Sequence, residues 1–210
     1  MKPIAYIFFF LGVAGFFYGY ETGNLLIQTI SKPIPLIVLI VSVNRKTQYN
    51  NLIIIGLILS LIGDILLAKA VDQFLFGLIS FLAAHVVYIF AFLKKSKRLA
   101  LIDSVPFYAY GTILFFFLQP HLGNMRIAVL FYVIVITTML WRSFVQRKNS
   151  KLALLAFIGA IFFTISDTFI AIYRFYEAFP FDRELTITTY WIAQYLIFTS
   201  TTSRKVKKAL

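Results

Sequence analysis

Apolar residues occur along this chain in long runs broken by short polar interruptions. Eight runs approach or reach the roughly 17–25 residues that a helix needs to cross hydrocarbon. They cover about 3–20, 25–43, 51–69, 74–93, 99–118, 125–143, 151–175 and 187–203. Runs of this length predict an all-α polytopic membrane protein with eight transmembrane helices. The first run follows Lys2 as a signal peptide would. Its end, FFYGYETG, offers no small-residue cleavage site, so it is taken as a helix. The interruptions leave no room for a separate soluble domain, and residues 1–210 are expected to form a single integral membrane domain.

One run repeats another. Leu52 to Ala68 reads LIIIGLILSLIGDILLA, and Leu155 to Ala171 reads LAFIGAIFFTISDTFIA. Aligned without gaps, Gly56 matches Gly159 and Asp64 matches Asp167, while the shared Ile and Leu positions carry little weight in so apolar a chain. The pattern continues into the next runs, LAAHVVYI and WIAQYLIF, where Ala84-His85 corresponds to Ala193-Gln194. A four-helix unit duplicated in tandem, about 1–98 and 99–210, predicts two parallel halves related by an axis along the membrane normal. Spans three and seven would then face each other and bring Asp64 and Asp167 together.

Composition agrees with membrane burial: 60% of residues are hydrophobic and only 13% charged, where a soluble domain carries about a quarter. The formal net charge of +12 would suggest nucleic acid in a soluble protein. Here the basic residues fall in alternate loops, and no nucleic-acid partner is expected. Lys2, Arg45-Lys46, Lys94 to Arg98, Arg142 to Lys151, and Arg204 to Lys208 lie on one side; ETGN, KAVDQ, QPHLGN and YEAFPFDRE lie on the other. The positive-inside rule places both termini in the cytoplasm. The expected location is a bacterial cytoplasmic membrane. Cysteine is absent, which excludes disulfides and thiolate chemistry.

A carboxylate inside a membrane span is costly and marks a candidate functional site. At about 1.5 Å per residue, Asp64 lies roughly 20 Å and Asp167 roughly 24 Å from the basic ends of their spans. Lys32, His85, Tyr88, Tyr190 and Gln194 arrive at about the same level. His85 and Tyr88 share one helix face, as do Tyr190 and Gln194. Two neighbouring carboxylates in a medium of low dielectric cannot both ionise cheaply, so one keeps its proton and the pair offers an acid and a base. The blander alternative is that each Asp pairs locally, with Lys32 or Arg174 for instance. With His85 and His121 the only histidines, a zinc site would need Asp ligands, and neither metal nor cofactor is expected. Gly56, Ser60 and Gly63 form a small-residue flank suited to close packing. Pro33 and Pro35 interrupt the second span beside Lys32, either as a kink or as an opening around a cavity.

At these residues the chain resembles the YhhN-like family of integral membrane lysoplasmalogenases. The resemblance rests on Lys32-Pro33, Gly63-Asp64 followed by LLA, His85-Val86-Val87-Tyr88, Ser166-Asp167, and Tyr190 with Ala193-Gln194. It extends over nearly the whole chain. It implies hydrolysis of the vinyl ether bond of a lysoplasmalogen to a fatty aldehyde and a glycerophospho-ethanolamine or -choline. The substrate is thus expected to be a membrane lipid, with other lipids possible in bacteria that lack plasmalogens. Asp64 and Asp167 would supply acid and base. Lys32 or His85 would bind the phosphate, and Tyr88, Tyr190 and Gln194 would orient the pair or the substrate oxygen.

Two other functions compete. Parallel repeats with acids inside the membrane also suit a proton-coupled transporter, although eight helices in 210 residues make a small bundle for alternating access. An intramembrane aspartyl protease would want Gly-x-Gly-Asp, but Leu61 stands where the first glycine belongs.

Overall fold

The computed structural model describes residues 1–68 and 70–202. These residues are helical with short connections: α1 (Pro3–Glu21), α2 (Leu25–Ser31), α3 (Ile34–Ser42), α4 (Gln48–Leu66), α5 (Phe74–Lys95), α6 (Val105–Leu118), α7 (Arg126–Gln146), α8 (Lys151–Phe175) and α9 (Asp182–Thr199). Side chains cap three helix starts. Asn24, Thr47 and Ser150 accept from the backbone N–H of Ile27, Asn50 and Ala153, meeting donors that a helix start leaves unpaired.

Six segments are long and apolar enough to cross a membrane: Pro3–Glu21, Leu25–Ser42, Gln48–Leu66, Phe74–Lys95, Gly123–Asn149 and Lys151–Phe175. Together with large apolar side chains exposed on α1 and α6, such as Phe10, Ile113 and Phe116, they describe an integral membrane protein. The fifth and eighth expected spans need correction. The helix expected over 99–118 begins only at Val105, because Pro106 fits a first helical turn but not a helix interior. At 14 residues, α6 is shorter than a full crossing. The helix expected from 187 begins at Asp182, where Asp182 and Glu184 suit the positive end of a helix dipole. The expected ends of the third span at Lys69 and of the eighth at Ser203, and the basic run Arg204 to Lys208, lie outside the described residues.

The second span is two helices. Proline has no N–H, so at Pro33 and Pro35 the carbonyls of Thr29 and Ser31 lose their helical donors. The chain stays close to helical through Lys32 and Pro33 but breaks its hydrogen bonding there.

Two helix pairs dominate the packing, α4 with α5 and α8 with α9. The matched glycines sit at their closest approaches. A Cβ on Gly56 would fall 2.2 Å from the Tyr88 ring of α5, and one on Gly159 would fall 2.9 Å from the Ala193 carbonyl of α9. α7 joins the pairs by packing on α5 and α8, α6 lies on α7, and α3 lies against α4 and α9. α1 closes the side through α3 and through edge-on contacts of Phe16 and Phe17 with Trp191. Contrary to expectation, α4 and α8 are not among the closely packed pairs. The Phe163 ring of α8 packs edge-on against both His85 of α5 and Tyr190 of α9.

Candidate active site

Lys32 stands at the break between α2 and α3. Its Nζ donates to the Asp64 backbone carbonyl at 3.2 Å and lies 3.3 Å from Asp64 Oδ1. Asp64 is buried at 3% exposure near the end of α4. A charge held there needs a partner, and the break in the second span positions the ammonium that provides one. Tyr190 of α9 lies against Asp64. Its hydroxyl and Asp64 Oδ2 are both buried without a hydrogen bond of ordinary geometry.

Asp167 of α8 has a separate set of partners. His85 of α5, fully buried, places Nε2 2.9 Å from Asp167 Oδ2 and 3.1 Å from the Tyr132 hydroxyl. Tyr132 of α7 donates to the same Oδ2. A carboxylate only accepts hydrogen bonds, so the arrangement fits the tautomer with the proton on Nε2. His85 Nδ1 is then an acceptor, and it has no partner. Among the described residues no hydrogen bond joins the two carboxylates.

Phe163 separates these clusters. It lies one turn before Asp167, with its ring centroid 4.6 Å from that of His85 and 5.5 Å from that of Tyr190. Beyond it, Tyr88 donates to Gln194 Oε1 at 2.9 Å. Ser60 Oγ and Gln194 Nε2 are buried and unpartnered.

The seven residues singled out in the sequence therefore fall into three neighbouring groups. Lys32 and Tyr190 meet Asp64, His85 meets Asp167, and Tyr88 meets Gln194. The local pairing weighed for Lys32 is present. Arg174, its alternative, instead places its guanidinium 4.5 Å over the Phe74 ring. Tyr132 escaped sequence reasoning. It is one of 12 tyrosines, and its only signal was a hydroxyl deep within an apolar run.

Two cavities meet beside these groups. One is a narrow apolar groove with a cavity volume of about 50 Å³, walled by residues of α5 to α8 including Phe81, Leu114, Tyr132, Val133 and Asp167. The other is a wider, charged vestibule of about 540 Å³ lined by Lys32, Asp72, Arg174, Asp182 and Arg183. Leu67, Phe74 and Ile170 line both. Asp167 thus faces the groove, while Asp64 is tied to the vestibule through Lys32. Such a site can take a molecule with one charged end and one apolar end; Asp167 lines the groove, and Lys32 of the vestibule holds Asp64.

A model of the YhhN family matches residues 27–201. Among curated relatives, the lysoplasmalogenase TMEM86B of Sus scrofa is 31% identical over 167 residues, covering 77% of this chain and 68% of its own length. The lysoplasmalogenase TMEM86A of Homo sapiens is 33% identical over 152 residues, covering 69% and 62%. A lysoplasmalogenase of Mycobacterium tuberculosis is 30% identical over 147 residues, covering 65% and 53%. No match was found among solved structures.

Proposed function

The chain belongs to the YhhN family, and we propose that it is a membrane-embedded hydrolase that cleaves the vinyl ether bond of lysoplasmalogen-type lysophospholipids. The observation that carries this function is the junction of the two cavities. A lysolipid's phosphate headgroup suits the charged vestibule, its single chain suits the apolar groove, and the bond linking them then falls between Asp64 and Asp167. The names of the relatives support a hydrolase over a transporter.

Vinyl ether hydrolysis begins with protonation of the β-carbon, which leaves an oxocarbenium ion. Water adds to it, losing its proton to a base, and the hemiacetal collapses to a fatty aldehyde and a free glycerol hydroxyl. The reaction needs one acid, one base and a negative charge beside the cation, all of which two carboxylates supply. Asp167, accepting from His85 and Tyr132, is held in one orientation. Asp64 keeps Oδ2 free while Lys32 anchors Oδ1. Tyr88, Tyr190 and Gln194 add polar groups beside the reacting bond, and Lys32 links Asp64 to the headgroup.

Within the same proposal, residues 1–210 form one unit that crosses the bilayer eight times. Two parallel halves place both termini on the cytoplasmic side of a bacterial cytoplasmic membrane, with α9 and α6, the latter extended by the 3-10 turns Ile102–Ser104 and Gln119–His121, completing the count. The deciding experiment incubates purified protein in detergent with a lysoplasmenyl-ethanolamine and follows products by mass spectrometry. Release of fatty aldehyde with glycerophospho-ethanolamine is expected. Intact lipid after prolonged incubation would overturn the proposal.

A further inference from the structure

A third cavity lies at the opposite end of the bundle from the two carboxylates. It has a volume of about 370 Å³ and lies among the ends of α5, α7 and α9 and the starts of α4 and α8. Among the described residues its lining carries hydroxyls, amides and two ammonium groups, Lys46 and Lys95, and includes no carboxylate.

Several observations assign it a ligand. The capping residues of α4 and α8, Thr47 and Ser150, both line it. Each cap satisfies one N–H of its first turn, so unpaired donors of two long helices remain at the cavity, with the positive ends of both dipoles. Lys95 is held at the rim with its ammonium 4.3 Å from the Tyr49 ring centroid. Gln146 is independent of these. It is fully buried and lines the cavity, its Nε2 donates to the Ala153 carbonyl at 3.2 Å, and its Oε1 has no partner. A buried amide oxygen without a donor is costly. The wall itself is fixed from within, since Tyr49 and Ser200 share a 2.5 Å hydrogen bond and Asn50 donates to the Asn44 and Thr201 carbonyls.

We infer that this cavity binds a phosphate ester bearing a free hydroxyl. The phosphate meets Lys46, Lys95 and the two helix starts, and the hydroxyl donates to Gln146 Oε1. A glycerol-phosphate unit has this chemistry, and it can come from the headgroup of an anionic lipid or from a soluble ester. The site is independent of the proposed hydrolysis, because none of its residues lines the other two cavities.

The test measures thermal unfolding of the full-length protein in a neutral detergent. Three probes are titrated separately: short-chain phosphatidylglycerol, short-chain phosphatidylcholine and sn-glycerol 3-phosphate. A saturable rise in unfolding temperature is expected with phosphatidylglycerol and none with phosphatidylcholine. A matching rise with glycerol 3-phosphate identifies the soluble ester as sufficient, and its lack identifies the lipid as the source. Lys46→Ala/Lys95→Ala, at two exposed positions, should raise the half-maximal concentration about tenfold or more, as loss of two charge-assisted contacts would. Lys94→Ala/Lys148→Ala removes the same charge from the same end of the bundle but not from the cavity, and should leave the titration unchanged. No rise with either glycerol phosphate, or equal weakening by both double variants, would overturn the inference.

Discussion

Lys32 holds Asp64 at two points, the carboxylate Oδ1 and the backbone carbonyl of the same residue. The ammonium therefore fixes both the side chain and the end of α4 that carries it. Lys32→Met should destabilise the protein by about 3 kcal/mol, the cost of leaving a buried carboxylate unpaired. The residual exposure of Lys32 tempers this figure. Adding Asp64→Asn should restore part of the loss, and thermal unfolding in detergent measures both. A single variant more stable than the double would separate Lys32 from Asp64.

Asp64→Asn and Asp167→Asn are each expected to abolish aldehyde release while the protein stays folded, because an amide keeps the shape but cannot carry the acidic proton. If the carboxylates act as one unit, the double variant should be hardly slower than either single one. Near-full turnover by Asp64→Asn would leave its ion pair with Lys32 a purely structural one.

Tyr132→Phe removes one of the two donors that orient Asp167. A hydrogen bond to a charged group contributes about 1.5–3 kcal/mol, so kcat should fall about tenfold to a hundredfold. KM should change less, since the hydroxyl faces the carboxylate. Steady-state kinetics separate the two, and an effect confined to KM would place Tyr132 in substrate binding instead.

Gly56→Ala and Gly159→Ala should each destabilise by about 1–3 kcal/mol, as overpacking does. At Gly56 the added methyl meets the buried Tyr88 ring, and at Gly159 it meets a carbonyl that cannot swing aside. Gly56→Ala should also slow turnover, because Tyr88 bonds Gln194. Unfolding midpoints unchanged in both variants would show that the helix pairs are loosely packed there.

Reporter fusions after Asn149 and after Phe179 should report opposite sides of the membrane. The same side for both would refute the proposed topology.

Much of this was legible in the chain itself. Hydropathy marked the six long apolar segments, Pro33 and Pro35 marked the break at Lys32, and the recurrence of Gly and Asp at one spacing marked the two close helix contacts and the two buried acids. Hydropathy did not fix the start of α6 or α9, because Pro106 and Asp182 act through local backbone geometry and charge rather than through apolar content. Nor did sequence reveal the partners of Asp167. His85 and Tyr132 reach it from two other helices, and nothing local distinguishes Tyr132 from the other tyrosines of a chain so rich in them. The symmetry argument brought α4 and α8 face to face, whereas they are not a closely packed pair, and the Phe163 ring of α8 packs against His85 and Tyr190.

Phe163 has a consequence for the membrane as a whole. An unbroken line of exchangeable protons running from Lys32, Asp64 and Tyr190 to His85, Asp167 and Tyr132 would be a conductor, and a cell that maintains an ion gradient would lose energy through it. A benzene ring carries no exchangeable proton. Its ring packs against His85 of one cluster and Tyr190 of the other, and among the described residues no hydrogen bond links the two, so a proton has no bonded route from one carboxylate to the other.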